Sequence, residues 1–235
     1  MKKVWLIFGG SGFVGTNLIL NLIKTNKIIN IDINKKNNKN LLKLLKVKER
    51  KNIEIINKSI TKYKDLKNVF KKKHFDIIVN LAALTSVNET SLNPKKTLQT
   101  NVKGFENILK LMKKYKKDKI IYASSCAVYG ENKYRNNEKT KLNPRSFYGK
   151  TKIENEKIAA EYYNKFKIFS VGIRFSNIYG RYQRYNSLYS AVITKWINLI
   201  KYKKPVTIHD NKNILRDFCH INDVVSSIKL SYKYI

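Results

Sequence analysis

The chain has 235 residues, 43% of them hydrophobic and 28% charged, which suffices for one large domain with a sizeable core and excludes a disordered polymer. Its net charge of +33 is carried overwhelmingly by lysine spread along the whole length, with Asn and Ile enriched in parallel. That pattern is a compositional bias; it lacks the aromatic–basic motif of a nucleic-acid module and leaves a surface potential that attracts anionic substrates.

Two cysteines, Cys126 and Cys219, and three scattered histidines supply neither a disulfide framework nor metal-ligand spacing. No run approaches the ~20 apolar residues of a membrane-spanning helix. The apolar run after Met1-Lys2-Lys3 is too short for a signal peptide and meets glycines at once, so a cytoplasmic protein is expected.

Taken in chain order, Val4–Phe8, Ile28–Ile31, Ile53–Ile56, Ile77–Leu81, Ile120–Ala123 and Ile168–Ile173 read as short buried strands. Between them Gly12–Lys24, Leu41–Val47, Asp65–Lys72, Asn101–Lys114 and Tyr148–Lys165 carry apolar residues at helical spacing, with a Lys/Asn-rich turn at 34–40. This alternation predicts an α/β fold, a doubly wound parallel sheet of Rossmann type over residues 1–175. After about residue 176 the character changes. An aromatic-rich loop, a helix near Leu188–Tyr202 and short strands near Val206–His209 and Phe218–Ile221 suggest a small substrate-binding region over 176–235, with one strand near 216–223 returning to the main sheet.

The first strand ends in Phe8-Gly9-Gly10-Ser11-Gly12-Phe13-Val14-Gly15. Gly10, Gly12 and Gly15 read as G-x-G-x-x-G; Gly9, Gly12 and Gly15 read as G-x-x-G-x-x-G. In either register glycines permit a tight turn and close approach to a pyrophosphate at a helix N-terminus. The second strand ends in Asp32, placed to accept hydrogen bonds from ribose hydroxyls and to repel a 2′-phosphate, although a strand-end acid also serves as an ordinary turn residue.

A Tyr and a Lys four apart share one helix face, and the ammonium then favours the phenolate, making the Tyr a usable general base. The spacing occurs five times: Tyr63/Lys67, Tyr115/Lys119, Tyr129/Lys133, Tyr148/Lys152 and Tyr163/Lys167. Context selects Tyr148 and Lys152, which open a helix and follow a strand ending in Ser124-Ser125, where doubly wound folds bind ligands.

Several segments carry a wider resemblance. They are the glycine turn, Asn80-Leu81-Ala82-Ala83, Asn101-x-x-Gly104, Tyr122-Ala123-Ser124-Ser125-Cys126-Ala127-Val128-Tyr129-Gly130 and Tyr148-Gly149-Lys150-Thr151-Lys152. Arg174-Phe175-Ser176-Asn177-Ile178-Tyr179-Gly180 and Arg216-Asp217-Phe218-Cys219-His220-Ile221-Asn222-Asp223 complete the set. In this order they resemble the extended short-chain dehydrogenases/reductases of the NAD-dependent epimerase/dehydratase family, and within it the UDP-glucose and UDP-N-acetylglucosamine 4-epimerases. Asn186–Ile193 is similar to a stretch of the N-acetylhexosamine branch.

The resemblance implies NAD as cofactor, a UDP-sugar substrate and a homodimer through the helices around Asn101–Lys114 and Tyr148–Lys165. It implies that Tyr148 takes the proton of the sugar 4-hydroxyl while NAD accepts hydrogen from C4, and that the 4-keto sugar turns over and is reduced on its other face. Lys152 would hold the nicotinamide ribose, Ser125 would orient the substrate oxygen, and Asn177 and Arg216 would contact the nucleotide diphosphate. The cofactor set is Gly9, Gly12, Phe13, Val14, Gly15, Asp32, Ile60, Leu81, Ala82, Ala83, Asn101, Ser124, Tyr148 and Lys152.

Departures sharpen the expectation. Ser59-Ile60 stands where the family has an acid before the aliphatic residue, and Gly180-Arg181-Tyr182-Gln183 replaces a Gly-Pro-Arg-Gln. Cys126 and Ala127 follow the serine where dehydratases place an acid, which favours epimerisation; Cys126 itself is expected to be a small buried residue. Members of the family continue well past the position equivalent to Asp223, so the C-terminal substrate region is expected to be truncated, ending partway through a helix.

Overall fold

The computed structural model describes residues 2–131, 135–183, 192–206 and 216–235. Val4–Phe8 forms strand β1, and its unbroken apolar run places it where both sheet faces are covered. Leu6 and Phe8 enter one core cluster while Trp5 and Ile7 enter the other, as the two-residue side-chain period requires. Strands β2 (Lys27–Ile31), β3 (Ile53–Ile56), β4 (Ile77–Asn80), β5 (Lys119–Ser125) and β6 (Phe169–Phe175) join it in one sheet of order β3-β2-β1-β4-β5-β6. All five pairings are parallel.

Helix α1 (Phe13–Leu22) covers the Trp5/Ile7 face through Leu18, Ile19 and Leu22. Helices α4 (Tyr63–Lys72), α7 (Gly104–Lys114) and α8 (Phe147–Phe166) cover the opposite face through residues such as Leu66, Phe105, Ile108 and Ala159. The chain moves outward from β1 to β3 and then returns to the other side of β1 as β4. The crevice beyond the C-terminal ends of β1 and β4 is therefore the topological switch point, where such sheets bind ligands.

Several elements differ from the sequence reading. Lys35–Leu44 is a helix, α2, which takes in the Lys/Asn-rich turn expected at 34–40 together with the first part of the helix expected at Leu41–Val47: the Asn34 side chain caps it by accepting from the Asn37 amide at 3.0 Å, and Asn38 and Leu41 bury one stripe. A short helix α3 (Val47–Arg50) follows. The polar segment after β4 forms α5 (Val87–Leu92), capped by Ser86, and α6 (Pro94–Thr97), opened by Pro94. A π-helical turn over Leu98–Lys103 then leads into α7.

Beyond β6, β7 (Ile178–Tyr179) pairs with β8 (Cys219–His220) in a separate two-stranded parallel sheet. The strand expected near 216–223 thus does not rejoin the large sheet. His220 accepts from the Asn222 amide at 3.3 Å and caps helix α10 (Ile221–Ser231), so the chain turns helical after two residues. The return to the core is made by α10, whose Ile221, Val224, Val225 and Ile228 pack into the α1-side cluster. The helix expected at Leu188–Tyr202 is described as α9 (Val192–Lys201); residues 207–209 of the expected strand lie outside the described residues.

No helix among the described residues is long and apolar enough to cross a membrane. Phe105 is fully buried and stacks on Tyr122 with ring centroids 4.9 Å apart. Phe105→Ala is expected to cost about 3–5 kcal/mol of unfolding free energy in urea titration; a loss below about 1 kcal/mol would show that α7 is not seated on the sheet as described.

Candidate functional site at the switch point

Gly9 adopts φ +75°, and a Cβ there would stand 2.7 Å from the Ala82 nitrogen, so glycine is needed both for the turn and for the approach of the β4 end. A Cβ on Gly15 would meet Gly10 Cα at 2.4 Å, which holds α1 tight against the loop. Gly12 occupies the N-cap of α1 without a side-chain cap, and the first turn has no acid, so Phe13, Val14 and Gly15 sit at an electropositive helix end. Asp32 stands beside this loop, its carboxylate accepting from the Ser11 amide at 3.1 Å and the Asn34 amide at 2.9 Å.

A buried polar chain beneath the loop escaped the sequence reading. Asn30 donates to Ser11 Oγ at 2.8 Å, Ser11 donates to Asn38 Oδ1 at 2.5 Å, and Asn38 donates to the Asp32 carbonyl at 3.2 Å. The available signal was Asn30 itself, an amide in the middle of the apolar run Ile28–Ile31.

Leu81, Ala82 and Ala83 lie half-buried just past β4, with the Ala82 amide donating to Asn80 Oδ1 at 3.3 Å. Three expected cofactor contacts have side chains engaged within the protein. Ile60 is buried against Gly104. Asn101 accepts from the Leu84 amide at 2.8 Å and donates to the Leu84 carbonyl and Thr151 Oγ1, pinning the post-β4 loop to α8. Ser124 donates its hydroxyl to Glu156 Oε1 at 2.5 Å.

Ser146 caps α8 by accepting from the Gly149 amide at 3.0 Å, and the first two turns then aim Tyr148 and Lys152 at the end of β5. Ser125 hydrogen-bonds the Tyr148 phenol, and its Oγ accepts from the Ala127 amide at 3.1 Å. Lys152 is 3% exposed, the one charged side chain buried to that degree among the described residues. Its Nζ donates to the Ala123 carbonyl at 2.7 Å and lies 5.5 Å from the centre of the Tyr148 ring.

Burial pushes the Lys152 ammonium down to about 8. It also pushes the Tyr148 phenol up to about 12, against the lowering effect of Ser125 and with a small upward push from Cys126. The expected lowering of the phenol by Lys152 is thus not realised: desolvation outweighs the favourable contacts. Cys126, expected to be buried, is half-buried beside the serine.

Asn177 is exposed with φ 27°, and its amide donates to the Asp217 carbonyl at 2.8 Å. That contact and the β7–β8 pairing bring the Arg216 segment alongside Asn177, beyond the C-terminal end of β6. Residues 186–191 of the segment Asn186–Ile193 lie outside the described residues. No group of three or more His, Cys, Asp or Glu that could hold a metal occurs among the described residues.

A sequence profile of the NAD dependent epimerase/dehydratase family matches residues 5–233. The chain belongs to the NAD dependent epimerase/dehydratase family. Among relatives, it is 33% identical over 241 residues to a dTDP-D-glucose 4,6-dehydratase of Dictyostelium discoideum, covering 96% of this chain and 54% of that protein. Among solved structures, the UDP-N-acetylglucosamine 4-epimerase of Methanobrevibacter ruminantium, in complex with UDP-N-acetylmuramic acid, superposes with a TM-score of 0.91 at 29% identity over 99% of this chain and 74% of its own. The UDP-glucuronic acid 4-epimerase of Bacillus cereus, in complex with UDP-glucuronic acid and NAD, gives 0.85 at 26% identity over 97% and 73%.

The family's cofactor fits what the residues offer. An uncapped, acid-free helix start suits a pyrophosphate, and the adjacent Asp32 carboxylate suits free ribose hydroxyls better than a 2′-phosphate.

The buried Lys152 yields a prediction that needs no substrate. Its folded pKa of about 8 lies below the unfolded value, so the unfolded state holds more protons between the two and stability rises with pH across that interval. Below pH 8 the buried charge costs about 3 kcal/mol. Lys152→Met is therefore expected to raise stability by about 1–3 kcal/mol in urea titration at pH 7 and by less at pH 10. An equal gain at both pH values, or none, would mean that the ammonium is not the strained group.

Proposed function

We propose that the chain catalyses NAD-dependent epimerisation at C4 of a UDP-hexose or UDP-N-acetylhexosamine through a transient 4-keto sugar. The observation that carries this reading is the joining of Ser125, Tyr148 and a buried Lys152 at the C-terminal end of β5, on the same edge of the sheet as the glycine loop that follows β1. Strongly perturbed groups gathered beside a ligand crevice are what acid–base catalysis requires.

The backbone of Gly9, Gly12, Phe13, Val14 and Gly15 holds the pyrophosphate of NAD, Asp32 takes the adenosine ribose, and Leu81, Ala82 and Ala83 leave room beside them. NAD, when bound, supplies an acceptor that takes two electrons from C4 and gives them back, so the cycle is redox-neutral. Ser125 orients the 4-oxygen, and Tyr148 takes its proton and later returns one. Lys152 places a positive charge beside the developing phenolate, which a dry site makes far more valuable than water would. Asn177 and Arg216 hold the diphosphate, Arg suiting it by its forked donors.

Residues 1–175 form the cofactor domain and 176–235 part of a substrate region. The working form is a homodimer through α7 and α8 in the cytoplasm. The high positive charge steers an anionic nucleotide sugar toward the site and implies no specific nucleic-acid or membrane partner.

A second reading, dehydration, draws support from the Dictyostelium relative. Cys126 and Ala127 after Ser125 provide no acid for it, which favours epimerisation.

The test is interconversion of UDP-N-acetylglucosamine or UDP-glucose with its 4-epimer by the purified chain with NAD. Tyr148→Phe is expected to reduce kcat at least ~100-fold; undiminished turnover in that variant would contradict the role of the phenol. Loss of water from the sugar would indicate a dehydratase, net consumption of NAD(P)H a 4-keto reductase, and NAD binding without turnover a cofactor-binding fragment. The rate should rise with pH as Tyr148 becomes easier to ionise, then level or fall above about pH 8 as Lys152 loses its proton. A kcat/KM flat from pH 6 to 10 would remove both groups from the chemistry.

A further inference from the structure

One turn beyond Lys152, on the same face of α8, stands Glu156, which the proposed chemistry does not use. It is half-buried and faces two partners. Ser124 Oγ donates to its Oε1 at 2.5 Å, and the Arg174 fork donates through Nε to Oε1 at 2.9 Å and through Nη2 to Oε2 at 2.8 Å. The side chains of Glu156 and Arg174 are only 18% and 19% exposed. Arg174, on β6, also donates to the Tyr129 hydroxyl at 3.1 Å and to the Glu138 carbonyl at 3.3 Å. One guanidinium thereby joins the helix, the edge strand and the loop leading from β5 toward α8. Burial alone would raise the Glu156 carboxyl, but the Arg174 and Ser124 bonds outweigh it and hold the group below its usual range, so it is a carboxylate at neutral pH.

The arrangement is a three-rung attachment. Consecutive residues of β5 each hold a residue of α8 spaced by one turn: Ser125 holds Tyr148, the Ala123 carbonyl holds Lys152, and Ser124 holds Glu156. Ser124, in step with Ile120 and Tyr122 on the face of β5 that α8 covers, turns its hydroxyl toward the helix.

We infer that Glu156, clamped by Ser124 and Arg174, is a positioning residue that fixes the axial register of α8 against β5 and so the meeting of Tyr148 with Ser125. A helix advances 1.5 Å per residue, and a misplacement of about 1 Å at reacting groups lowers rates up to ~100-fold. This inference rests on the proposed roles of Ser125, Tyr148 and Lys152.

The experiment compares Glu156→Ala and Ser124→Ala with the parent chain and with Glu54→Gln, which breaks a surface ion pair far from the site. Two readouts are taken: kcat and KM in the epimerase assay, and titration of the Tyr148 phenol by NMR of chains labelled at the tyrosine Cζ, assigned with Tyr148→Phe. In Glu156→Ala kcat is expected to fall about 10–100-fold with KM within about threefold. The Tyr148 titration is expected to move from about 12 toward the ordinary tyrosine value as the phenol leaves its buried seat beside Ser125. Glu156→Gln, which keeps an acceptor for Ser124, should recover most of both.

Ser124→Ala removes one hydroxyl from a buried site and tests the same rung should Glu156→Ala fail to fold; it is expected to lose about 3–10-fold in kcat. An unmoved Tyr148 titration and unchanged kcat in either folded variant would overturn the inference. A shifted titration in a chain that shows no epimerase turnover would support the clamp and count against the epimerase reading alone.

Discussion

An ammonium group almost sealed from water stands between the last turn of a central strand and the helix beside it. Lys152 has one carbonyl, that of Ala123, within hydrogen-bond distance, and its depressed pKa records how poorly that contact replaces hydration. A fold seeking stability alone would place an apolar side chain there. The price of the charge is met by the rest of the architecture: β5 flanked by β4 and β6, and α8 capped by Ser146, stapled by Asn101 and Thr151, and clamped by Glu156 and Arg174. The same desolvation that weakens the ammonium raises the Tyr148 phenol, so the two groups form a strained pair whose opposite charges would stabilise each other once the phenol ionises.

The second constraint is the crossing of chain at the switch point. Gly9 must turn through a left-handed conformation while β4 passes within van der Waals contact, and Gly15 must let α1 press onto the loop. Those contacts leave the start of α1 uncapped and pointing into the crevice that Tyr148 and Ser125 approach from β5 and α8. The uncapped start of α1 and the Ser125–Tyr148–Lys152 group thus stand at the ends of β1 and β5, on either side of β4 in one sheet, the arrangement the proposed oxidation and reduction at one carbon requires.

Much of this was legible in the residues, for definable reasons. Strands such as Val4–Phe8 and Ile77–Asn80 are apolar on both faces, a pattern only a covered parallel sheet satisfies, and the glycine turn and Asp32 stand at fixed offsets from them. The Tyr148/Lys152 spacing, by contrast, was indistinguishable from four accidental copies until the preceding serines gave it a place. What stayed hidden depends on long-range contacts. The first half of helix α2 looked like a turn because Lys and Asn dominate it, and the Asn34 cap and the burial of Asn38 extend the helix back to Lys35. Ser124, Asn101 and Ile60 were expected at the cofactor from the family resemblance, and the resemblance carried no sign of their side-chain partners Glu156, Leu84 and Gly104. The phenol's pKa was anticipated in the wrong direction because sequence shows a neighbouring charge but not the loss of water around both groups.

The chemistry assigned to Tyr148 and Lys152 is tested most directly by following the hydrogen on C4. A UDP-sugar carrying deuterium at C4 is incubated with the chain and NAD in ordinary water, and the 4-epimer is examined by NMR. Redox-neutral oxidation and return within one site predicts that the product keeps its deuterium at C4. Replacement of that deuterium by solvent hydrogen would contradict it and would mean that C4 is deprotonated instead of oxidised.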